Sequence, residues 1–452
     1  MINIGRYTSI ITAVTLMLLT GCSTGNSAAD GPPPSQTPAA SSSPATAAGG
    51  GSVPAKSPSP QPAAPETSVA PAAAPSISPS AGSDSSHDIL AARIAGMTLE
   101  QKIGQMLLAG IDGTKLDSEA KRMIAEDEIG GIILYKDNIS SLKSMVSLIN
   151  ALKQSNSGNK VPLFMSVDQE GGKVSRMPEE YAAIPANSKV GIINQKKSAA
   201  EMGRLLAREV LSAGFNMNFA PVLDINSNPD NPVIGERSFG NNAELVSRLG
   251  IAEMNGIASE GAIPVIKHFP GHGDTSVDSH LELPVVNKSA AGLAKLEWLP
   301  FQAAVKEGAD TVMVAHILYP QLDPDKPASL SAKIIGGLLR EQMGFGGVVI
   351  TDDLTMGAIT DHYTLPAAAV DTVLAGSDIL LIAHEYSNER KVRAALLESV
   401  RSGVIPESRI DESVYRILAL KEKYKLTDKP VAVPDLTELN SDIKAWRKTL
   451  AK

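Results

Sequence analysis

The sequence predicts an α/β protein, with one domain folded as a (β/α)8 TIM-type barrel. Eight short apolar runs alternate with helical stretches between Asp88 and Leu426, a pattern typical of a parallel sheet that is buried on both faces. This segment of about 340 residues has room for eight strand–helix units and some long loops. Nearly every apolar run also ends on a polar residue. An open, doubly wound sheet is the alternative that remains.

The eight apolar runs are the predicted strands, and the segments between them are the predicted helices. Each run is too short for a typical helix and is bounded by glycine or polar residues, which favours strands. The runs occupy residues 104–111, 130–135, 161–168, 216–224, 263–269, 311–317, 346–353 and 378–383.

Polar residues with reactive side chains follow the predicted strands. They are Asp112, Lys136, Asp168, Asp224, Lys267 with His268, His316, Asp352 and His384. All strands of a barrel end on the same face, so these side chains should meet at one mouth. A polar residue can also simply mark where a strand leaves the core. Its recurrence after all eight runs favours a functional rim.

Bulk composition narrows the functional classes. The chain has 452 residues, a net charge of −8 and 43% hydrophobic residues. Its modest acidity gives no electrostatic reason to expect nucleic acid. Aromatic residues make up only 4% of the chain, which argues against a stacking platform for single strands. The single cysteine excludes an intrachain disulfide.

The N-terminal segment predicts export and anchoring. Residues 1–22 have an early Arg6 and a short apolar region, as in a secretory signal peptide. The ending Leu19-Thr20-Gly21-Cys22 resembles a bacterial lipobox, which makes Cys22 the expected lipid attachment site. An ordinary signal peptide with an incidental cysteine is the alternative. The expected location is therefore extracytoplasmic, as a membrane-anchored lipoprotein.

The composition of residues 23–86 predicts a disordered tether. Proline, alanine, serine and glycine dominate this segment, so little apolar surface is available to offset the entropy cost of ordering it. Residues 427–452 form a short tail in which "LNSDIKAWRKTL" predicts one amphipathic helix. No second domain is expected, so the chemistry should reside in the barrel.

The stretch "KHFPGHGDTSVDSH", residues 267–280, holds three of the seven histidines. Three interpretations remain open from the residues alone. His268, His272 and His280 could bind a metal together with an aspartate, although their spacing matches no short zinc signature. The loop could be structural. Alternatively, Asp278 could orient His280 and favour its protonated ring, making the pair a proton-transfer dyad.

The same stretch carries a family resemblance. "KHFPGHGDTSVDSHLELP" resembles the signature loop of the single-domain β-N-acetylglucosaminidases of glycoside hydrolase family 3, which trim peptidoglycan fragments. "VDQEGGKVSRM" and "GGVVITDDLTMGAI" are similar to other motifs of this family, and the likeness extends in the right order from about 88 to 426. The resemblance implies a glycoside hydrolase barrel over residues 87–426.

The resemblance also implies roles for individual residues. Asp352 would be the nucleophile, and His280, oriented by Asp278, would be the acid/base. The implied sugar contacts are Asp168, Arg176, Arg237, Lys267 and His268. Alternatively, Arg237 could have a structural role, with the adjacent Glu236 as its partner. Asp353, His272 and Asp274 are expected to shape the loops.

The activity implied by the resemblance is that of a retaining exo-β-N-acetylglucosaminidase. It would release GlcNAc from peptidoglycan fragments or chitin oligomers through a covalent glycosyl-aspartate, without a metal or an organic cofactor. A monomer is expected. A neutral imidazole base should repel an anion less than a carboxylate does, so phosphate is an alternative acceptor of the sugar. The competing hypotheses are another β-hexosidase of the family, a solute-binding lipoprotein and a metallohydrolase.

Overall fold

The computed structural model describes residues 84–451 as a barrel of short strands surrounded by helices. The strands are β1 Leu107–Ala109, β2 Gly131–Leu134, β3 Phe164–Val167, β4 Met217–Asn218, β5 Ile263–Pro264, β6 Ile266–Phe269, β7 Thr311–Val314, β8 Val348–Thr351 and β9 Leu380–Ile382. The α-helices are α1 Asp84–Ala95, α2 Leu99–Gln105, α3 Ser118–Ala125, α4 Leu142–Ser155, α5 Asn187–Ile193, α6 Lys196–Ala213, α7 Ala243–Ser259, α8 Ala290–Leu293, α9 Leu299–Lys306, α10 Gly357–Thr360, α11 Leu365–Ala375, α12 Tyr386–Arg401, α13 Glu407–Lys423 and α14 Thr437–Thr449. Short 3₁₀ turns lie at Lys136–Asn138, Gly235–Arg237 and Ala328–Leu330, and a π-helix spans Lys333–Gln342.

The strands close into a parallel ring, which confirms the predicted barrel over the open sheet. One run of pairs joins β5, β4, β3, β2, β1 and β9, and a second joins β6, β7 and β8. Only Val265 separates β5 from β6, so together they form one interrupted strand. A parallel bridge between Ile350 and Ile379 links β8 to β9 and closes the ring. Every predicted apolar run contains one of these strands.

Close packing of backbones at the β1–β9 seam depends on a glycine. The N–H of Gly110 donates to the carbonyl of Ile382 at 3.0 Å. A Cβ atom on Gly110 would lie 1.9 Å from the carbonyl oxygen of Ala383, closer than any side chain permits. The loops after β1 and β9 therefore leave the ring side by side.

Helix boundaries follow local sequence signals. Thr98 Oγ1 accepts from the N–H of Gln101, and Gln101 Oε1 accepts from the N–H of Thr98, so a reciprocal capping box begins α2. Asp117 caps α3 through the N–H of Ala120. Gly214, with φ of 100°, ends α6 in the left-handed conformation.

A buried aspartate stabilises the end of the barrel at which the strands begin. Asp378 is fully buried just before β9 and accepts from Arg340 at 2.5 Å, Arg416 at 3.0 Å and Arg409 at 3.3 Å. It also accepts from the N–H of Val349 at 2.9 Å. These contacts fasten the π-helix and α13 to β8 and β9. Helix α13 therefore serves the scaffold.

The tail contains the predicted helix, which is α14. Its apolar residues Leu439, Ile443 and Trp446 are buried, and Trp446 Nε1 donates to the carbonyl of Ser198 in α6 at 3.2 Å. The amphipathic pattern of the tail thus corresponds to a helix that packs on the barrel.

Most of the predicted N-terminal features lie outside the described residues. The signal peptide, Cys22 and the tether up to residue 83 fall there, while α1 begins at Asp84, within the last residues of the predicted tether. None of the helices within residues 84–451 combines the length and apolar character that a membrane crossing requires.

Candidate active site

A cavity of about 310 Å³ opens at the carboxyl ends of the strands. Its walls come from nearly all sides of the barrel mouth. They comprise Tyr135, Asp168, Val174, Arg176, Phe219, Val233, Arg237, Lys267, His268, His272, Ser279, His280, Met313, Asp352, Asp353, Thr355, Met356, Gly357, Leu381 and His384. The predicted nucleophile, the predicted acid/base and all the predicted sugar contacts therefore line one cavity.

The strand-end residues divide into three groups, so the expectation that all meet at the mouth is wrong in part. Asp168, Lys267, His268, Asp352 and His384 line the cavity. Asp224 and His316 are fully buried and contact residues of the cavity wall instead. Asp112 and Lys136 are exposed and do not line it. Asp112 and Lys136 therefore only mark the points where their strands leave the core.

Asp352 follows β8 directly and presents an ionised carboxylate to the cavity. Its backbone N–H donates to the carbonyl of Val314, continuing the sheet, and its Oδ1 accepts from the N–H of Asp353 at 2.9 Å. Burial alone would raise the pKa of Asp352, but the imidazoles of His316 and His268 outweigh burial and hold it below its ordinary value. A charged carboxylate partly open to the cavity has the properties of a nucleophile.

Asp353 has a structural position. Its Oδ1 accepts from the backbone N–H groups of Thr355 and Ala383, both at 3.0 Å, and its Oδ2 accepts from Thr355 Oγ1 at 2.7 Å. Burial is the main influence and raises the pKa of this carboxyl group. Asp353 thus joins the loop after β8 to the end of β9, in agreement with the prediction that it shapes a loop.

Asp278 and His280 form a close pair at the rim. His280 Nδ1 lies 2.7 Å from Asp278 Oδ1, and the backbone N–H of His280 donates to the same oxygen at 2.9 Å. Burial would raise the pKa of Asp278, but these hydrogen bonds from His280 hold it below its ordinary value. The His280 side chain is 65% exposed. The carboxylate fixes one ring nitrogen and leaves Nε2 available for proton transfer.

The loop bearing this pair packs against the segment that follows the nucleophile. The N–H of Gly357 donates to the carbonyl of His280, and the N–H of Ala358 donates to the carbonyl of Ser279, both at 3.3 Å. The His272 ring braces the loop from inside, with Nδ1 2.9 Å from Thr275 Oγ1 and Nε2 3.1 Å from Ser279 Oγ.

A buried network of charges lies on the β3, β4 and β6 side of the cavity. Lys267 Nζ lies 2.5 Å from Asp168 Oδ1 and 2.8 Å from Glu170 Oε1. Glu170 also receives two hydrogen bonds from Arg237, at 2.7 and 2.8 Å. Burial would raise the pKa of Glu170, but Arg237 and Lys267 outweigh it and lower the pKa far below its usual range. The charges are paired, so donors and acceptors stay in fixed positions.

Glu170 is the member of this network that sequence reasoning missed. Glu236, the alternative considered as a structural partner of Arg237, is exposed on the 3₁₀ turn, and Glu170 pairs with Arg237 instead. Adjacent side chains diverge from the backbone, whereas a residue 67 positions away meets Arg237 across the barrel mouth. The available signal was a second carboxylate two residues after the strand-end Asp168.

His268 forms a second aspartate–histidine pair, which is deeply buried. Its Nδ1 lies 2.6 Å from Asp224 Oδ2, and Asp224 Oδ1 accepts from the N–H of His272 at 2.6 Å. Burial opposes ionisation of Asp224, but His268 outweighs it and lowers the carboxyl pKa. Arg237 Nη2 lies 3.4 Å from His268 Nε2. The His268 ring is thus fixed beside the charge network.

Arg176 enters the cavity from the loop after β3. Its backbone N–H donates to Gln169 Oε1 at 2.8 Å, and Gln169 Nε2 donates to the buried Glu209 at 2.7 Å. The Arg176 Nε atom is buried and has no hydrogen-bond partner among the described residues. A buried donor is normally satisfied, so a bound polar group is its expected partner.

The metal-site interpretation of the histidine loop finds no support in the geometry. Both ring nitrogens of His272 contact hydroxyl groups of the protein, Thr275 Oγ1 and Ser279 Oγ. Among the described residues, no three His, Cys, Asp or Glu side chains are arranged to hold a metal ion.

An aromatic pair, Tyr135 and His384, completes the wall on the opposite side. Tyr135 follows β2 and His384 follows β9, and their rings stack with centroids 5.6 Å apart and planes at 22°. The prediction included His384 as a strand-end residue and missed Tyr135. No periodicity in the sequence indicates that the two rings meet, since they are brought together by closure of the barrel.

Comparisons with known proteins identify the family of the chain. The model of the glycosyl hydrolase family 3 N-terminal domain matches residues 98–420, and the chain belongs to this family. The chain is 35% identical to β-hexosaminidase A of Pseudoalteromonas piscicida over 72% of its own length and 58% of that protein. It is 34% identical to β-hexosaminidase of Xylella fastidiosa over 66% of its own length and 92% of that protein.

A solved structure extends the likeness to the fold. The family 3 β-N-acetylglucosaminidase from Paenibacillus sp. str. FPU-7 superimposes with a TM-score of 0.73 and 41% identity, over 78% of this chain and 68% of that one. These relatives support a glycoside hydrolase of the β-N-acetylhexosaminidase type.

Proposed function

We propose that this protein is a retaining exo-β-N-acetylglucosaminidase that uses Asp352 as nucleophile and the Asp278–His280 pair as acid/base. The observation that carries the proposal is that Asp352 and His280 line one cavity, with His280 Nδ1 2.7 Å from Asp278 Oδ1. The activity of the family relatives supports the choice of sugar.

In the first step, an Asp352 oxygen attacks the anomeric carbon and forms a glycosyl ester. The bond to the leaving oxygen breaks with its electron pair, and that oxygen takes a proton from Nε2 of His280. Asp278 stabilises the protonated, positively charged ring before this transfer, and the transfer leaves the ring neutral. Because imidazole titrates near neutrality, it can donate this proton without the extensive tuning that a carboxylic acid needs.

In the second step, a water molecule occupies the place from which the leaving group has departed. His280 Nε2 accepts a proton from the water while its oxygen bonds to the anomeric carbon, and the ester bond to Asp352 breaks. Two inversions give net retention of configuration. This can be tested by following the first product by proton NMR, in which the β-anomer of GlcNAc should appear before mutarotation. Initial appearance of the α-anomer would contradict double displacement.

The terminal sugar would bind in the charged network. Asp168 supplies an acceptor for sugar hydroxyls, while Lys267, Arg237, His268 and Arg176 supply donors. The unpartnered Nε of Arg176 supports this assignment, since a sugar oxygen would satisfy it. Loss of single contacts should raise KM or lower kcat according to whether they strengthen in the transition state.

The experiment that tests the function compares 4-nitrophenyl β-GlcNAc with 4-nitrophenyl β-glucoside, with and without EDTA. The proposal predicts selective turnover of the GlcNAc substrate that survives EDTA and collapses in Asp352→Ala. Equal turnover of both sugars would favour another β-hexosidase, and binding without turnover would favour a solute-binding lipoprotein. Loss of activity in EDTA would favour a metallohydrolase. Assaying GlcNAc 1-phosphate beside free GlcNAc in phosphate buffer separates phosphorolysis from hydrolysis.

The natural substrates proposed are GlcNAc-terminated peptidoglycan fragments, with chitin oligomers as the alternative. We further propose that Cys22 carries a lipid that places the enzyme outside the cytoplasm, on a membrane, as a monomer. The sequence before the barrel supports the anchor through its lipobox-like ending. Incorporation of a radiolabelled fatty acid into the wild type and its loss in Cys22→Ser would test it. Equal labelling of both would contradict it.

A further inference from the structure

The stacked pair of Tyr135 and His384 has no assigned role, although it lines the cavity. In the barrel, β1 lies between β2 and β9, so the two rings bridge the end of β1. Gly110, at the end of β1, has no side chain to fill this space. The His384 side chain is 66% exposed, so much of its surface is open to solvent at the rim.

Hydrogen bonds fix the backbone at both residues, and the carbonyl of His384 accepts from Asn388 Nδ2 at 3.1 Å. The N–H of Tyr135 donates to Asn138 Oδ1 at 2.8 Å. On the other side, Tyr386 Oη accepts from the N–H of Asp112 at 2.9 Å and donates to Asp117 Oδ2 at 2.8 Å, joining the loops after β9 and β1. The backbone that carries each ring is therefore fixed before a ligand binds.

The Tyr135 hydroxyl is available as a donor. It has no hydrogen-bond partner among the described residues, although it stands among the carboxylates of Asp353, Asp168 and Asp352. Burial and these negative charges raise the pKa of the phenol well above its ordinary value, so it keeps its proton. An aromatic face beside a hydroxyl donor suits a pyranose ring, which offers both apolar C–H groups and hydroxyls.

The position of the pair indicates which sugar it contacts. The buried charges of the β3, β4 and β6 side suit the hydroxyls of the sugar whose bond to the leaving group is broken. The acid/base His280 and the pair member His384 are both exposed at the rim, and His384 Nε2 lies 3.8 Å from Asp353, next to the nucleophile. The group that receives the proton from His280 must leave through this exposed rim.

We propose that Tyr135 and His384 form the wall of the leaving-group subsite, where the second pyranose packs on the His384 ring and accepts a hydrogen bond from Tyr135 Oη. This inference rests on the proposed glycosidase function. It assigns recognition of a sugar-type leaving group to two residues outside the charged network. A sugar acceptor that attacks the glycosyl-enzyme occupies the same subsite, because transfer is the reverse of the first step.

Transfer from the glycosyl-enzyme measures this subsite directly. The wild type and variants receive 4-nitrophenyl β-GlcNAc as donor and methyl β-GlcNAc as acceptor, and disaccharide and free GlcNAc are quantified by chromatography. In the transfer step an acceptor hydroxyl bonds to the anomeric carbon, its proton goes to His280, and the ester to Asp352 breaks. Methanol serves as an acceptor without a pyranose ring.

We expect His384→Ala to lower the ratio of disaccharide to free GlcNAc by about tenfold, and Tyr135→Phe to lower it by about fivefold. The ratio of methyl glycoside to free GlcNAc with methanol should stay unchanged in both variants. His384→Phe keeps a stacking ring and should restore most of the transfer to the sugar. His362→Ala, a matched change at an exposed histidine that does not line the cavity, should resemble the wild type.

Unchanged sugar transfer in both His384→Ala and Tyr135→Phe would overturn the subsite while leaving the glycosidase function intact. An equal loss with methanol and with the sugar would also overturn it, because the pair would then act on the glycosyl-enzyme itself. A wild type that releases no nitrophenol would reject the proposed function, and this inference with it.

Discussion

At the scale of single residues, two neighbouring aspartates differ because of their partners. Asp352 is stabilised as an anion by imidazoles and opens to the cavity, whereas both Asp353 oxygens accept hydrogen bonds within the protein. The sequence motif "TDD" offers two equivalent carboxyl groups. Their different hydrogen bonds make one a candidate nucleophile and the other a link between β8 and β9.

Replacing Asp352 should separate chemistry from folding. We expect Asp352→Ala to lower kcat by at least about 10³-fold, since the covalent step is lost. Its melting temperature should stay near that of the wild type. Added azide should restore turnover and give the α-glycosyl azide, because the small anion enters the space of the missing carboxylate. Asp353→Ala should instead melt earlier, and a β-azide product from Asp352→Ala would contradict the assigned role.

The role of His280 predicts a dependence on the leaving group. A 2,4-dinitrophenolate leaves without a proton, whereas a sugar alkoxide requires one. His280→Ala should therefore lower kcat/KM for N,N′-diacetylchitobiose by about 10³-fold, and by about tenfold or less for the dinitrophenyl glycoside. Asp278→Asn should show the same trend with smaller losses. An equal loss on both substrates would show that His280 does not protonate the leaving group.

At the scale of elements, the loop carrying His280 depends on the turn that follows β8. The N–H of Gly357 donates to the carbonyl of His280, and a Cβ atom on Gly357 would lie 3.0 Å from that oxygen and 3.1 Å from the carbonyl oxygen of Leu281. Both neighbours are backbone atoms, so the loop itself must move to accept a side chain.

A bulky residue at 357 should therefore misplace the acid/base. We expect Gly357→Val to lower kcat for 4-nitrophenyl β-GlcNAc by about tenfold or more, because small displacements of catalytic groups are costly. The Gly336→Val variant is a control at a site where the nearest neighbour is 3.6 Å from the added Cβ. Wild-type kcat in Gly357→Val would show that the observed packing of this loop does not set the activity.

Helix α6 supports the loop after β3 through a buried carboxyl group. Glu209 accepts from Gln169, which holds the backbone of Arg176, and burial raises the pKa of Glu209 to about 8. The folded protein thus binds a proton that the unfolded chain releases above about pH 4.5. The resulting contribution to stability is complete below that pH and is lost as pH rises through about 8.

The Glu209→Gln variant removes this titration and retains an acceptor for Gln169. The free energy of unfolding of the wild type should fall relative to that of the variant between pH 5 and pH 9, as measured by urea denaturation at each pH. Parallel pH profiles of the two proteins would contradict the raised pKa.

At the scale of the whole molecule, stability and activity lie at opposite ends of the barrel. Asp378 and its three arginines tie β8, β9, the π-helix and α13 together at the amino ends of the strands. The cavity lies at the carboxyl ends. This division is common in barrels, where loops carry function and the opposite face carries stability.

Removal of the Asp378 charge should therefore affect the fold alone. Asp378→Asn leaves three arginine side chains without the buried anion that they share, and we expect a loss of about 3–5 kcal/mol in unfolding free energy. KM for 4-nitrophenyl β-GlcNAc and kcat per folded molecule should remain within about twofold. Glu412→Gln, at an exposed partner of Arg409 and Arg416, should be nearly neutral. A large change in KM for Asp378→Asn would contradict the separation.

The sequence by itself determined the architecture and most of the predicted site. Eight buried strands produce eight apolar runs because both faces of each strand lie in the core. Each run consists of consecutive residues, so it can be recognised without knowledge of the tertiary structure. Since strand ends share one face of a barrel, Asp168, Lys267, His268 and Asp352 could be placed together before any geometry was known. The pairing of Asp278 with His280 is also local, spanning only two residues.

Only the tertiary structure decided which distant side chains meet. Glu170 binds Arg237 over 67 positions, Asp224 binds His268 over 44, and Tyr135 stacks on His384 across the closed β9–β1–β2 seam. It also separated the buried strand-end residues Asp224 and His316 from those that line the cavity. Periodicity records whether a side chain faces the core, whereas its partner depends on ring closure and on the path of long loops.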